Sequence, residues 1–168
     1  MSDFVTYPHE LLTQKALHRP VDADMLAAGA DLLAAVERAQ AYGLAAAHIG
    51  LIQPVVVISV TADTSQRDYR LLYNPQIVQL ARDEVIGMEG SVSFPGVEVP
   101  VKRAVWADIA YDDAEGQRQT ERFDGFVARV AQHEVDQVNG MFFLRRVSPV
   151  KRDIAIRKFQ KNRSLIGG

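Results

Sequence analysis

The chain has 168 residues and a formal net charge of -2 at pH 7, with 48% hydrophobic and 24% charged residues. These values are ordinary for a globular protein and argue against a disordered chain or a general binder of DNA. The sequence contains no cysteine, which excludes disulfide bonds and thiolate ligands for a metal.

The start of the chain gives no sign of export or membrane insertion. Residues 1–4 lack the basic start and the apolar core of a signal peptide. No apolar run approaches the roughly 20 residues that a membrane-spanning helix requires. We therefore expect a cytoplasmic protein without membrane partners, and the length predicts one domain over residues 1–168.

The first regular element is predicted to be a helix. Residues 7–20 contain two prolines, which favour an irregular arm. Asp22 or Asp24 is placed to cap a helix that ends at Tyr42 and Gly43. Its apolar positions recur with the helical period, which is typical of a helix that packs on a core. They are Met25, Ala28, Leu32, Ala35, Val36 and Ala39.

A run of small residues follows, and it holds a single histidine. Residues 43–50 read Gly-Leu-Ala-Ala-Ala-His-Ile-Gly. Small side chains let other backbone or a ligand come close to the chain. His48 is therefore either a hydrogen-bonded structural residue or part of a site. Residues 54–60 beyond it predict a buried strand.

Short strands are predicted across the middle of the chain. Their ranges are 71–73, 77–81, 84–88, 97–101, 104–111 and 117–123. The last two are joined by a hairpin loop at 112–116. Because the strands cluster before one long helix, the pattern favours an α+β fold over alternating βαβ units. The polar stretch 89–96 among them is typical of a turn between strands.

A helix of about four turns is predicted between Asp124 and Asn139, with Asp124 as its capping residue. It carries two adjacent apolar stripes that also contain His133, Glu134 and Gln137. Such a wide apolar surface predicts burial, and buried polar groups need partners. The three side chains therefore belong either to a buried hydrogen-bond network or to a chemical site.

A final helix is predicted to begin at Ser148 and Pro149. It carries basic side chains, which are typical of a solvated face but also suit RNA or another acidic partner. They are Lys151, Arg152, Arg157, Lys158, Lys161 and Arg163.

Three of these stretches, in this order, resemble the motifs of the peptide deformylases, hydrolases that remove the formyl group from nascent N-formylmethionyl peptides. They are residues 43–50, Glu-Gly-Ser-Val-Ser at 89–93, and Gln-His-Glu-Val-Asp-Gln-Val-Asn-Gly at 132–140. Similar flanking residues extend the resemblance over almost the whole chain. It implies a deformylase-like α+β fold. In this fold, antiparallel sheets pack around a central helix of the His-Glu-x-x-His type. Further helices lie toward the N-terminal and C-terminal ends of the chain.

The resemblance implies a metal site with altered ligands. In the family, a cysteine and two histidines hold a divalent metal, usually ferrous iron. Here His133 matches one histidine, whereas Ser91 stands at the cysteine and Gln137 at the second histidine. A hydroxyl and an amide are weak ligands beside a thiolate and an imidazole. We therefore expect iron or zinc to be bound weakly or not at all.

The resemblance also implies catalytic and pocket positions. Glu134 matches the glutamate that acts as the family's general acid and base. His48 stands where the family has a glutamine that stabilises the oxyanion, and the backbone of Val92 matches the second group with that role. The implied pocket residues are Gly43, Leu44 and Gly90.

The altered motifs predict a protein that keeps the cleft for an N-formylmethionyl-type peptide end or a small acylated ligand but lacks the usual metal-dependent deformylation. The alternative is an active hydrolase with a remodelled site. In one version His48, His133 and Glu134 bind zinc, although neighbouring side chains on a helix diverge by about 100°. In another version Ser91 is the nucleophile and a histidine is its base.

A third possibility is binding to the ribosome through the basic final helix, by similarity to deformylases that act there. The net charge of -2 gives this possibility little support.

Overall fold

A computed structural model of the protein describes residues 4–166 and the side chains of residues 4–165. The helices in this part of the chain are α1 (Ala23–Ala39), α2 (Gly125–Val138) and α3 (Pro149–Ile166). The strands are β1 (Gly43–Ala45), β2 (Val55–Ser59), β3 (Tyr69–Leu80), β4 (Glu84–Ser91), β5 (Phe94–Ala104), β6 (Trp106–Asp112) and β7 (Arg118–Asp124). Short 3-10 turns lie at Glu10–Thr13, Ala46–Ile49 and Phe143–Arg146. Over residues 4–166, no helix is both long and apolar enough to cross a membrane.

The strands form two antiparallel sheets, and α2 packs against both. The larger sheet has the order β1-β2-β3-β6-β7, and the smaller sheet pairs β4 with β5. α2 contacts β1, β2, β3, β6 and β7 of the larger sheet and β5 of the smaller one. This arrangement confirms the predicted α+β class, with antiparallel sheets around a central helix and further helices on either side of it in the chain.

Strand β2 is buried on both faces because a helix covers each of them. Successive side chains of a strand point to opposite faces. Val56 and Ile58 pack in the core beneath α2, whereas Val55 and Val57 pack in the core beneath α1. The continuous apolar run that predicted a buried strand therefore serves two separate cores.

The helices α1 and α2 begin in different ways. The Asp22 carboxylate caps α1, where it accepts from the backbone N–H of Met25 at 2.9 Å. Asp124 is the N-cap residue of α2, but its side chain makes no capping hydrogen bond, so that part of the prediction is wrong. The chain instead enters α2 through Gly125 at φ 58, and the N–H of this glycine donates to the carbonyl of Val105 at 2.9 Å.

The two short strands predicted before residue 82 are one strand, β3. Its pairing with β6 shifts register between Tyr73 and Gln76, where Asn74 adopts φ 49. Pro75 lies in this irregularity and has no N–H to donate to a neighbouring strand. The Asn74 side chain bonds Asp112 at 2.8 Å, so it supplies a contact where the regular ladder is interrupted.

The N-terminal segment, residues 4–20, runs along the three motif stretches and joins them. Three of its backbone N–H groups each donate to a carbonyl in or beside one stretch. The bonds run from Val5 to His48, from Tyr7 to Ser93 and from Ala16 to Val138, at 2.8, 2.8 and 2.9 Å. Gly140, at φ 80, lets this segment pass, because a Cβ there would lie 2.8 Å from the carbonyl oxygen of Thr13.

Helix α3 packs on β5 through Phe159, whose ring stacks on Phe94 with centroids 4.2 Å apart. Of the basic side chains predicted for this helix, Arg152 and Arg163 donate to backbone carbonyls. Five of the six basic side chains are exposed, and they are Lys151, Arg157, Lys158, Lys161 and Arg163.

Candidate functional site

A cavity of about 320 Å³ lies between α2, β1 and the hairpin of β4 and β5. Ser91 pairs with Phe94 across this hairpin, so the chain turns at residues 92–93. Of the stretch 89–96 that was predicted as a turn, residues 92–93 form the turn and the rest belongs to β4 and β5. Its first half also faces the cavity. Seven of the predicted site residues line the cavity. They are Gly43, His48, Gly90, Ser91, Val92, His133 and Glu134.

Two predicted site residues do not line this cavity. Leu44 follows Gly43 on β1 and so points to the opposite face, where it is fully buried in the core beneath α1. Gln137 is also buried, and its Nε2 donates to the carbonyl of Leu12 at 2.7 Å. Its Oε1 has no hydrogen-bond partner among residues 4–165. Gln137 therefore binds the N-terminal segment through one end of its amide and leaves the other end free.

The sequence reasoning missed several lining residues, of which Arg129 is the most important. Arg129 lies one helical turn before His133 on α2, and this spacing on one face was the available signal. Tyr42 and Phe126 form an apolar wall with their rings edge to face, 4.8 Å between centroids. Glu89 also lines the cavity, at the start of the second motif.

Glu89 orients His133. The Nδ1 of His133 lies 2.9 Å from Glu89 Oε1, so its Nε2 remains for the cavity. Burial alone would raise the pKa of Glu89, but hydrogen bonds from Arg103 and His133 hold it well below its ordinary value. Burial alone would lower the pKa of His133, but the nearby carboxylates of Glu134 and Glu89 raise it above its ordinary value.

A buried charge network extends from Glu89 away from the cavity. Arg103 forms two hydrogen bonds with the Glu89 carboxylate, at 2.8 and 2.9 Å, and a third with Asp136 at 2.6 Å. Arg146 completes the chain of contacts by donating twice to Asp136, at 2.9 and 2.8 Å. Because Arg103 is only 3% exposed, its two carboxylate partners depend on it for their compensation.

His48 is a neutral imidazole with its proton on Nε2. Its Nδ1 accepts from the backbone N–H of Ala45 at 3.0 Å, and an accepting nitrogen carries no proton. Burial, and secondarily the charge of His133, lowers the pKa of His48 to about 3. Within the described part of the chain, the Nε2 is buried without a hydrogen-bond partner. His48 therefore contributes one unused hydrogen-bond donor to the site.

Glu134 is the carboxyl group beside this imidazole. Its Oε1 lies 3.7 Å from His48 Nδ1 and has no hydrogen-bond partner among the described side chains. Burial is the main reason that the pKa of Glu134 rises to about 7, and the charge of Glu89 adds to this while His133 opposes it. Near neutral pH this carboxyl group can hold or release a proton, which is the property that general acid and base chemistry requires.

Replacing Glu134 by glutamine is expected to stabilise the protein at pH 8 but not at pH 4. At pH values between the pKa of the unfolded state and the raised pKa of the folded state, the carboxyl group is protonated in the folded protein and ionised in the unfolded protein. Stability is therefore lost as the pH rises from about 4.5 through about 7, by about 3 kcal/mol in total. Urea unfolding of both proteins from pH 4 to 8 gives this difference, and a difference that does not change with pH would contradict it.

The ligand atoms of His48, His133 and Glu134 lie within 4.8 Å of one another. We expected the side chains of His133 and Glu134 to point too far apart to bind one ion. This expectation is wrong for their ligand atoms, because the length of the two side chains offsets their angular separation. The donor set nevertheless does not fit the thiolate and two imidazoles that the resemblance implies. The Nδ1 lone pair of His48 accepts from Ala45, its Nε2 carries the proton, and Ser91 offers only a hydroxyl that accepts from the N–H of Ser93 at 3.1 Å.

Comparison with known proteins gives one consistent family. The model of the polypeptide deformylase family matches residues 1–153. A peptide deformylase-like protein of Rhizobium meliloti is 35% identical over 158 residues, which cover 94% of this chain and 90% of that protein.

Solved structures give the same result for the fold. The crystal structure of peptide deformylase from Ehrlichia chaffeensis superposes with a TM-score of 0.87 at 28% identity, over 96% of each chain. A structure of peptide deformylase from that organism in complex with actinonin gives a TM-score of 0.86 at 29% identity, over 95% of each chain.

Proposed function

The chain belongs to the polypeptide deformylase family, and we propose that it uses the family's cleft to bind an N-formylmethionyl-type peptide end or another small acylated ligand without the usual metal-dependent deformylation. A volume of about 320 Å³ lies at the lower end of the roughly 300–1,000 Å³ that is typical of small-molecule pockets. This size supports a ligand of one acylated residue with part of its neighbour.

The observation that carries the proposal is a pair of unpartnered polar atoms from two cavity-lining residues. His48 Nε2 is a donor and Glu134 Oε1 is an acceptor when the carboxyl group is ionised, and neither has a hydrogen-bond partner in the part of the chain that the structure describes. An N-acyl group presents the complementary pair, because its carbonyl oxygen accepts and its amide N–H donates. Both atoms are buried, so a ligand reaches them by displacing the side chains that cover them. Unpaired buried polar groups are costly, and a ligand that pairs both of them gains affinity from the site.

The donor chemistry supports the absence of the usual deformylation. The family's metal is held by ionised sulfur and imidazole, and it makes a nucleophile of its bound water. In this chain the thiolate position is Ser91 and the second imidazole position is Gln137, whose Nε2 is engaged by Leu12. Neutral oxygen ligands bind such metals far more weakly. What remains in the cavity is the recognition chemistry of His48, Glu134 and the backbone of residues 90–92.

Substitution of His48 tests the proposed recognition. His48→Gln keeps an amide donor and is expected to bind N-formylmethionyl-alanine within about threefold of wild type. His48→Leu removes the donor and is expected to weaken binding by roughly 5- to 100-fold, because the ligand's carbonyl is buried without a partner. Isothermal titration calorimetry measures both affinities.

Methionyl-alanine, which lacks the formyl group, is the control ligand for this experiment. It is expected to bind wild type weakly and to show no dependence on His48. Equal affinity of the formylated and free peptides for wild type would overturn the proposed function.

A hydrolase with a remodelled site is the second candidate, and the closeness of the His48, His133 and Glu134 ligand atoms is the observation that favours it. Among the described side chains, no hydrogen bond joins Ser91 to either histidine, which disfavours a serine nucleophile. If added zinc leaves hydrolysis of N-formylmethionyl-alanine unchanged, the zinc version is excluded. A Ser91→Ala variant with full activity would exclude the nucleophile version.

Two partner hypotheses follow from the family. The Ehrlichia deformylase was solved in complex with actinonin, so actinonin is a suitable first probe of this cavity. Ribosome binding through the five exposed basic residues of α3 is a weaker hypothesis. Cosedimentation with ribosomes at low salt tests it, because electrostatic contacts are strongest there.

A further inference from the structure

Arg129 is a buried, charged cavity-lining residue to which the proposed function assigns no role. Its guanidinium group lies against Gly87 of β4, where a Cβ would lie only 2.8 Å from the guanidinium carbon. The residue is 8% exposed and lines the cavity. The wall of the cavity therefore contains a buried positive charge beside the apolar rings of Tyr42 and Phe126.

The guanidinium group has more donors than the protein uses. An arginine side chain has five N–H bonds. Its Nη1 donates to Glu89 Oε2 at 2.7 Å and to the carbonyl of Val101 at 2.8 Å, and its Nη2 donates to the carbonyl of Val85 at 2.7 Å. A contact from Nη1 to the carbonyl of Gly87 is longer, at 3.4 Å. The Nε–H and one N–H of Nη2 are left without an acceptor among the described residues.

The unused Nε of Arg129 is also open to the cavity. The fully buried side-chain atoms without partners in the described chain belong to other residues, so Nε is not sealed from solvent. Because the rest of the side chain is buried, a ligand in the cavity is the group that can reach this donor.

We propose that Arg129 determines specificity by selecting an acylated ligand whose first side chain ends in an oxygen acceptor, the carboxylate of glutamate or the amide of glutamine. This inference rests on the proposed function, since it concerns the side chain of the same ligand. An apolar side chain such as that of methionine would cover the free donors of Arg129 without pairing them, which is costly. A glutamate or glutamine side chain pairs them and still packs its methylene groups against Tyr42 and Phe126.

The charges around Arg129 are compatible with an acidic ligand. Two arginines and two carboxylates balance one another within the buried network. The half-exposed Arg146 adds one positive charge next to them. Two carboxyl groups on the lining of the cavity oppose an acidic ligand, the exposed Glu98 and, when it is ionised, the buried Glu134. Because Glu98 lies in solvent, its repulsion is screened more than the attraction of the buried arginine.

The test is a comparison of three N-formyl dipeptides that differ only in the first residue, which is glutamate, glutamine or methionine. Isothermal titration calorimetry on the wild-type protein is expected to give roughly 10- to 100-fold tighter binding of the glutamate and glutamine peptides than of the methionine peptide. In Arg129→Met this preference is expected to fall below about threefold. Arg118→Met, which changes an exposed arginine outside the cavity, is the matched control and should keep the wild-type preference.

Gly87→Ala provides a second variant in case Arg129→Met does not fold. The added methyl group displaces the guanidinium group while the charge is kept, and the preference should again fall. A wild-type preference for the methionine peptide, or no preference, overturns the role of Arg129 and leaves the proposed function standing. Preference for glutamate and glutamine without any need for the formyl group supports Arg129 and overturns acyl recognition. Absence of binding by all three peptides overturns both.

Discussion

A protein that carries both Ser91→Cys and Gln137→His is expected to bind one divalent metal ion more tightly than wild type by several orders of magnitude. Ionised sulfur and imidazole supply most of the roughly 10–16 kcal/mol by which structural zinc is held in small peptides. Ser91 lines the cavity, and the Nδ1 of His133 is already bonded to Glu89, which leaves Nε2 as a ligand. Inductively coupled plasma mass spectrometry after anaerobic purification measures the bound metal.

The environment of Gln137 suits a histidine that binds a metal. Its Nε2 donates to the carbonyl of Leu12 at 2.7 Å, and the Nδ1–H of a histidine can donate to the same carbonyl. Such a bond to a backbone carbonyl fixes the ring of a metal-binding histidine and leaves its Nε2 for the metal. Formyl hydrolysis by this double variant is expected to remain slow, because His48 still stands in place of the family's glutamine.

Ser93→Cys with Gln137→His is the matched control for the double variant. Ser93 is fully buried two residues along the same hairpin, and it does not line the cavity. The control therefore carries the same two residue types with the thiol in the wrong place. Equal metal content in the two double variants would contradict the prediction.

Replacing Arg103 by methionine is expected to lower the free energy of unfolding by about 3–5 kcal/mol, which is the usual cost of removing one partner from a buried ion pair. Arg103 is 3% exposed and compensates both Glu89 and Asp136. Methionine leaves these two carboxylates buried with fewer partners. Urea unfolding at pH 7 measures the loss.

Arg118→Met is the control for this stability measurement. Arg118 pairs with Asp112 at 3.2 Å on the surface, with 42% of its side chain exposed, and exposed pairs contribute about 0–1 kcal/mol. A similar loss of unfolding free energy in Arg118→Met and Arg103→Met would contradict the stabilising role of the buried charge network.

Much of the fold could be predicted because its elements have clear patterns of apolar residues. The central helix carries apolar residues at helical spacing, and β2 is a continuous apolar run, so both were predicted in the right places. The prediction failed at β3, which was divided into two strands at 71–73 and 77–81. The strand continues because a change in register at Asn74 absorbs the proline, and nothing in the local sequence distinguishes this irregularity from a break.

The site was predicted in part, because motif positions fix the backbone better than they fix the side chains. His48, Ser91, His133 and Glu134 all line the cavity. Gln137 contacts the N-terminal segment instead, which depends on a partner 125 residues away in the chain. Arg129 was missed because an arginine on a helix usually belongs to a solvated face, whereas the guanidinium group of this one is buried by its hydrogen bonds to backbone carbonyls of β4 and β5.

The central claim is that this family member keeps the acyl-binding cleft without metal-dependent deformylation. The most direct measurement is formate release from N-formylmethionyl-alanine and N-formylglutamyl-alanine by wild-type protein purified anaerobically, with bound metal determined in the same sample. We predict binding of a formylated peptide, far less than one metal ion per chain and no formate above background. Stoichiometric iron or zinc with rapid formate release would contradict the account.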